Sequence, residues 1–247
     1  MIESDPSHPH RLRLETRPAV SFAAAALVLM VGATGINLWI YSGALLPVGI
    51  TVAMFACVSG LAVRGIATGY PHAGLGACNI VTLTRASLCA ILIGALFQTE
   101  LQATSSWTLF VIATIAFSMD GLDGWLARRE SLVSDFGARF DMEIDALLGA
   151  TLALLLWQSG KVGPEILALG FMRYAFVAAS FVFPWLSAPL PQRFRRKVIC
   201  VVQIAALIFL MTPIVPDAAR LPVSLAATAV LMWSFAIDTL WLARRSK

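Results

Sequence analysis

The sequence predicts an all-α protein embedded in a membrane, and three observations support this fold class. Hydrophobic residues make up 59% of the chain and charged residues only 13%, whereas soluble domains average about 45–50% apolar residues. Residues 18–63 contain no charged side chain, and that length accommodates two spans of about 20 residues each. The apolar stretches are continuous and rich in Ala and Leu instead of alternating, which favours helices over a transmembrane β-barrel.

Similar apolar stretches recur along the whole chain and predict eight helices. These are expected over residues 18–41, 44–64, 79–99, 105–127, 138–158, 164–186, 197–214 and 221–243. A Gly-rich break at 65–78 separates the second helix from the third, as clustered turn-forming residues do. The expected organisation is therefore a polar tail over 1–17, two additional transmembrane helices over 18–64, and a six-helix core over 79–247.

Basic residues fall almost entirely on one side of these predicted helices. That side carries Arg11, Arg13, Arg17, Arg64, Arg128, Arg129, Arg193, Arg195, Arg196, Lys197, Arg244, Arg245 and Lys247, and the other carries Lys161 and Arg220. The positive-inside rule therefore predicts an inner (cytoplasmic) membrane protein with both termini in the cytoplasm. The net charge of +4 indicates contact with anionic lipid headgroups and not with nucleic acid.

The most informative segment is residues 120–145, which read DGLDGWLARRESLVSDFGARFDMEID. Asp120 and Asp123 are three residues apart, and Asp141 and Asp145 are four apart, so each pair is expected to share one face of a helix. Acidic groups are costly in a membrane, at about 2.5–3.5 kcal/mol each at a helix centre. Oxygen ligands without His or Cys suit hard cations such as Mg²⁺, Mn²⁺ or Ca²⁺. The segment therefore predicts a site for divalent metal and phosphate at the cytoplasmic surface.

Small and basic residues between the aspartates fit the same chemistry. Gly124 and Gly137 lack side chains, so that helix backbones can approach a ligand closely. Arg128 lies one helical turn beyond Gly124 and is suited to a bidentate grip on phosphate. The full pattern is D-x2-D-G-x2-A-R-x8-G-x3-D-x3-D. Three further charged residues of the segment are interpreted as ordinary surface residues: Arg129, Glu130 and Asp135.

This pattern resembles, position for position, the signature of the CDP-alcohol phosphotransferases, also called CDP-alcohol phosphatidyltransferases. These are integral membrane enzymes with a six-helix core that pass the phosphate-bearing part of a CDP-linked donor to an alcohol. The resemblance covers the 26-residue segment closely and the chain from Asn79 onward loosely, and it leaves residues 1–64 outside. It implies transfer from CDP-diacylglycerol to a small polar alcohol with release of CMP, and it implies a homodimer. The reverse polarity, with a soluble CDP-alcohol donor and diacylglycerol as acceptor, uses the same metal site and stays open.

The resemblance also implies a role for each signature residue. Two divalent ions, Mg²⁺ or Mn²⁺, would be held by Asp120, Asp123, Asp141 and Asp145. The last of these aspartates would also serve as general base toward the acceptor hydroxyl, which is ordinary carboxylate chemistry. The donor would be contacted by Gly124, Ala127 and Gly137 at the cytidine and by Arg128 at the phosphates.

A second polar run opens the first core helix, where residues 79–85 read NIVTLTR. Asn79, Thr82 and Arg85 follow one another at intervals of three and so share a helix face. Members of the family commonly carry a similar run, which implies contact with the donor nucleotide or its phosphates. The alternative is that Asn79 caps the helix and that Arg85 snorkels to the membrane interface.

Other charged residues of the predicted helices are weaker candidates. Arg139 and Arg173 would suit an acceptor that carries its own phosphate. Glu143 lies on the face opposite Asp141 and is not expected to bind metal. Asp238, near the cytoplasmic end of the last helix, fits a structural ion pair at least as well as an acceptor contact. The basic cluster around Arg195 is interpreted as a topology determinant that contacts anionic headgroups.

Three competing functions fit the sequence less well. A prenyltransferase needs a second Asp-rich motif, and after Asp145 the chain offers only the isolated Asp217 and Asp238. A transporter would carry charges and broken helices near the bilayer midplane, whereas the acids here concentrate at one junction. An inactive relative that only binds lipid is disfavoured because all eight signature positions are intact.

Overall fold

The computed structural model describes residues 10–41, 43–98, 103–188 and 194–245, with side chains over 18–41, 43–98, 106–188 and 195–245. Within these ranges every regular element is helical, which confirms the predicted all-α class. The elements are α1 (His10–Ile40), α2 (Leu45–Gly69), α3 (Ala77–Ala95), α4 (Ala103–Ser118), α5 (Leu122–Arg129), α6 (Asp135–Gln158), α7 (Ile166–Val182), a 3-10 helix (Pro184–Ser187), α8 (Phe194–Met211) and α9 (Asp217–Arg245). Helix α1 thus begins at His10, ahead of the expected start. Residues 1–9 of the predicted tail, Arg193 and Lys247 lie outside the described residues.

Five stretches of helix in the described ranges are long and apolar enough to cross a membrane. They are Pro18–Ile40, Leu45–Gly69, Ala77–Ala95, Ser106–Arg129 and Asp217–Arg245. The helix Ile166–Val182 is also apolar but shorter. Length and composition therefore support the polytopic membrane protein that the sequence predicts.

The helix predicted over 105–127 is two helices, α4 and α5, with a turn at residues 119–121. Gly121 in this turn has a φ of +81°, a left-handed conformation that glycine adopts without steric cost. The expectation that Asp120 and Asp123 lie on one continuous helix is therefore wrong. Asp120 belongs to the turn, and Asp123 lies in the first turn of α5.

The chain divides into two compact units, of which the first comprises Met1–Gln98 and Ile115–Ile144. In this unit α1, α2 and α3 pack against one another, and α5 packs on α3. A Cβ atom at Gly94 of α3 would lie 2.8 Å from the carbonyl oxygen of Pro47 on α2, so glycine permits the close approach of these helices. Thr51 Oγ1 donates a hydrogen bond across the same contact to the carbonyl oxygen of Ala90, at 3.0 Å. These contacts pack α3 tightly against α2.

The second unit comprises Thr99–Thr114 and Asp145–Lys247. Here α9 packs on α7 and α8, with Phe176 and Phe235 in edge-to-face contact at 5.5 Å between ring centroids. Arg220 near the start of α9 donates to the carbonyl oxygens of Leu210 at 3.1 Å and Val215 at 2.8 Å. The first bond satisfies a carbonyl at the end of α8 that helix geometry leaves without a partner, and the second satisfies one in the connection between α8 and α9.

Candidate metal and phosphate site

The aspartates of the first unit surround a buried arginine. Arg85 lies on α3 with its side chain 1% exposed. Its Nη1 atom is 3.5 Å from Oδ1 of Asp120 and 3.4 Å from Oδ2 of Asp123, and it donates a hydrogen bond to Oδ1 of Asp141. One guanidinium therefore bridges acidic side chains from the 119–121 turn, from α5 and from α6.

A second bond orients this arginine. Its Nε atom donates to the carbonyl oxygen of Ala116, near the end of α4, at 3.1 Å. A buried charge is tolerated only when it is paired and hydrogen-bonded, and Arg85 meets both conditions. The structure thus places Arg85 inside the protein, and not at the membrane interface as the snorkelling alternative required.

Asp123 is 5% exposed, whereas the other three signature aspartates are half-buried. Its Oδ2 atom accepts a hydrogen bond from Thr82 Oγ1 at 2.9 Å, and its Oδ1 atom accepts one from the backbone N–H of Gly124 at 2.7 Å. Thr82 and Arg85, which the sequence places on one face of α3, therefore both contact this carboxylate.

Three half-buried carboxylates converge closely enough to hold a cation. Asp120, Asp141 and Asp145 each offer an oxygen atom, and these atoms lie within 4.8 Å of one another. Asp145 begins the longer segment of the second unit and lies on the same continuous helix α6, one turn beyond Asp141. Carboxylates at this spacing repel one another unless a cation is present or protons are retained. An all-oxygen donor set of this kind fits Mg²⁺ or Mn²⁺.

Asn79 completes the polar face of α3 but does not cap the helix, since the N-cap residue is Gly76. The Asn79 side chain is 3% exposed, and its Nδ2 atom donates to the hydroxyl oxygen of Tyr70 at 3.0 Å. A Cβ atom at Gly137 would lie 3.8 Å from Asn79 Oδ1. The amide therefore lies between Tyr70 and the second glycine of the signature.

The remaining signature residues lie on α5. Arg128 is exposed and Ala127 is half-buried. A Cβ atom at Gly124 would lie 3.4 Å from Nη1 of Arg128, so the guanidinium folds back over this glycine. Contact of these residues with a donor nucleotide stays a prediction.

Two residues near the site make contacts that the sequence does not predict. Glu130, interpreted there as a surface residue, accepts a hydrogen bond through Oε2 from the backbone N–H of Ala77 at 3.0 Å, at the start of α3. Acidic side chains favour helix N-termini, but a partner 53 residues away leaves no trace in a local pattern. Tyr70 is the second, since its partner Asn79 lies across a helix boundary.

The other charged candidates have structural surroundings of their own. Asp238 is 8% exposed and pairs with Arg195 at 2.6 Å and with Arg196 at 3.7 Å, within the second unit. Arg195 also donates to Ser234 Oγ at 2.9 Å. These contacts favour the structural interpretation of Asp238. Arg139 and Glu143 are exposed, and Arg173 is half-buried.

Fold and site together define a polytopic helical membrane protein with an acidic site suited to divalent cations. A family model of the CDP-alcohol phosphatidyltransferases matches residues 75–241. The match covers more than half of the chain, so the protein belongs to the CDP-alcohol phosphatidyltransferase family, whose members transfer a phosphatidyl group from a CDP-alcohol to an acceptor. No curated protein and no solved structure matches the chain.

Proposed function

We propose that this protein transfers a phosphatidyl group from CDP-diacylglycerol to a small polar alcohol, releases CMP, and so acts in phospholipid biosynthesis. The observation that carries the proposal is the convergence of Asp120, Asp141 and Asp145 within a chain of the matched family. Its apolar helices suit a donor that stays in the bilayer and an acceptor that arrives from water.

The acidic residues would hold two divalent ions, Mg²⁺ or Mn²⁺. The ligands would be Asp120, Asp123, Asp141 and Asp145. Bound ions at this position would supply the positive charge that neutralises a pyrophosphate and the CMP leaving from it. Arg128, exposed beside Gly124, would pair with a donor phosphate, since a guanidinium matches phosphate oxygens in a bidentate manner.

Asp145 would act as general base. Its carboxylate would take the proton from the acceptor hydroxyl while that oxygen forms a bond to the phosphorus of the phosphatidyl group. The bond between this phosphorus and the oxygen of CMP then breaks, and CMP leaves with the electron pair.

The site and both termini would face the cytoplasm of an inner membrane, because nearly all basic residues lie on the predicted cytoplasmic side. Acceptor alcohol and CMP would then exchange with the cytoplasm. As in the family that the signature resembles, the protein would work as a homodimer.

The test is a lipid-synthesis assay with purified protein, CDP-diacylglycerol and a panel of alcohols, in which CMP release is measured and the lipid product is identified by mass spectrometry. We expect CMP release with Mg²⁺ or Mn²⁺ and none with a chelator. Product formation only from a soluble CDP-alcohol and diacylglycerol would establish the reverse polarity instead.

Two substitutions sharpen this test. Asp145→Asn should abolish CMP release and leave the unfolding temperature unchanged. Asp217→Asn is the matched control, because this aspartate has a side chain that is 95% exposed and should keep wild-type activity. Wild-type CMP release by Asp145→Asn would refute the proposed base.

A further inference from the structure

Residues that precede the family match contact the loop between the two halves of the signature. The ring Nε2 of His72 donates to the carbonyl oxygen of Val133 at 3.1 Å. The ring of Tyr70 meets that of Phe136 edge to face at 6.3 Å between centroids. The match begins only at residue 75, so both contacts come from a part of the chain that the family model does not describe.

The two N-terminal helices reach the same region through aromatic packing. Phe136 stacks on Phe140 at 5.7 Å between centroids, and Phe140 meets Phe22 of α1 edge to face at 6.1 Å. A Cβ atom at Gly65 of α2 would lie 2.7 Å from the ring of Phe136, so the ring occupies space that the glycine leaves open. The beginning of α6, immediately before Asp141, is therefore packed against both added helices.

One hydrogen bond connects this packing to the polar face of α3. The hydroxyl oxygen of Tyr70 accepts from Nδ2 of Asn79 at 3.0 Å. An amide with its nitrogen fixed in this way has a fixed direction for its oxygen, and the Oδ1 atom of Asn79 is the one that faces Gly137. Burial raises the pKa of the Tyr70 hydroxyl, so the Asn79 amide donates to a neutral phenol at physiological pH.

We propose that Tyr70, directly after α2, is a positioning residue that acts through Asn79, and that α1, α2 and the residues following α2 thereby set the geometry of the donor pocket. This role rests on the proposed function and on the expectation that Asn79 and Gly137 contact the CDP-linked donor. It gives residues 18–74 a role beyond membrane anchoring, because they hold the loop over 130–134 and the start of α6 against α3.

The test is Tyr70→Phe, which keeps the ring contacts with Phe136 and His72 and removes only the hydroxyl. We expect the KM for the CDP-linked donor to rise about 2- to 10-fold, the range that one neutral hydrogen bond accounts for, with kcat and the unfolding temperature close to wild type. The stabilisation of the protein by CMP, measured as the rise in unfolding temperature during a CMP titration, should require a correspondingly higher CMP concentration.

Asn79→Ala serves as the second variant, and the double variant identifies the route of the effect. Asn79→Ala should raise the KM for the donor at least as much as Tyr70→Phe does. In the Asn79→Ala background, Tyr70→Phe should change the KM no further, since residues that act through one contact are not additive. Tyr41→Phe is the matched control, because Tyr41 is a buried tyrosine in the connection between α1 and α2 and its hydroxyl has no hydrogen-bond partner among the described residues.

The outcomes separate this proposal from the proposed function. No CMP release by the wild-type protein with any donor would remove the proposed function. Wild-type release combined with an unchanged KM in Tyr70→Phe or in Asn79→Ala would overturn only the role of Tyr70. One contrary result is that Tyr70→Phe raises the KM equally with and without Asn79, and another is that it lowers the unfolding temperature with no change in CMP affinity. Either result would show that Tyr70 contributes packing and does not position Asn79.

Discussion

Arg85 donates a hydrogen bond from Nη1 to Oδ1 of Asp141 while its own side chain is 1% exposed. The same nitrogen lies within 3.5 Å of Asp120 and of Asp123. A single buried positive charge thus holds together carboxylates that would otherwise repel one another. The divalent ions of the proposed function would bind these same carboxylates, so Arg85 and the metal ions would together neutralise their negative charge.

Arg85→Gln should therefore destabilise the protein when a chelator is present. Removal of one partner from a buried ion pair typically costs about 3–5 kcal/mol, and here the aspartates lose their common partner. Added Mn²⁺ should raise the unfolding temperature of the variant more than that of the wild type, because the cation replaces the missing charge. Thermal unfolding in detergent, with chelator and with Mn²⁺, measures both effects.

Arg129→Gln is the control for this substitution. Arg129 is exposed and stacks on Trp125 at 5.1 Å from the ring centroid, so its replacement should change neither stability nor the response to Mn²⁺. Equal unfolding temperatures for Arg85→Gln and the wild type in chelator would contradict the role assigned to Arg85.

The sequence predicts those features of the fold and the site that depend on composition and local spacing. The all-α class followed from continuous apolar stretches, and the aspartate pattern drew attention to Asp120, Asp141 and Asp145, which do converge. Helix α6 explains the last two, because a spacing of four residues places side chains on one face of a helix.

The sequence does not predict features that depend on how distant segments of the chain pack together. Arg85 meets Asp120, Asp123 and Asp141 across 35 to 56 residues of chain, because α3 packs on α5 and the Arg85 side chain reaches the start of α6. The break at 119–121 requires a left-handed Gly121, and glycine within an apolar run does not by itself reveal whether the helix continues.

Close packing in the first unit predicts a sharp difference between two Gly→Ala substitutions. In Gly94→Ala the new Cβ atom would overlap Thr51 Oγ1 and would lie 2.8 Å from the carbonyl oxygen of Pro47. Because a backbone atom cannot yield as a side chain can, we expect destabilisation of about 1–3 kcal/mol. Thermal or denaturant unfolding of the purified protein measures it.

Gly60→Ala on α2 is the matched control, since no atom lies within 4 Å of the Cβ position there. This variant should be unchanged or more stable by up to about 1 kcal/mol, because alanine is the better helix former. If Gly94→Ala proved as stable as Gly60→Ala, the close approach of α2 and α3 would be incorrect.

We expect the protein to lose stability at alkaline pH because the Tyr41 hydroxyl is buried. Tyr41 is 4% exposed, in the connection between α1 and α2, and burial raises the pKa of its hydroxyl above the ordinary value of 10.0. Above that ordinary pKa the unfolded chain loses this proton before the folded protein does, so the unfolded state gains stability as pH rises. The free energy of unfolding should therefore be fully maintained below about pH 10 and fall above it. Tyr41→Phe should show a shallower fall, and an identical pH dependence in both proteins would exclude Tyr41 as its cause.

Arg220 provides the clearest stability test in the second unit, because it makes contacts of two different kinds. Its guanidinium donates to the carbonyl oxygens of Leu210 and Val215 in the interior and to Asp217 at the surface. Arg220→Met should cost about 1–3 kcal/mol, since buried carbonyl groups lose their donors. Asp217→Asn removes only an exposed ion pair, whose contribution is typically about 0–1 kcal/mol, and should be nearly neutral. Denaturant unfolding of both variants measures the difference; a larger loss in Asp217→Asn would mean that the surface ion pair, and not the carbonyl contacts, stabilises the start of α9.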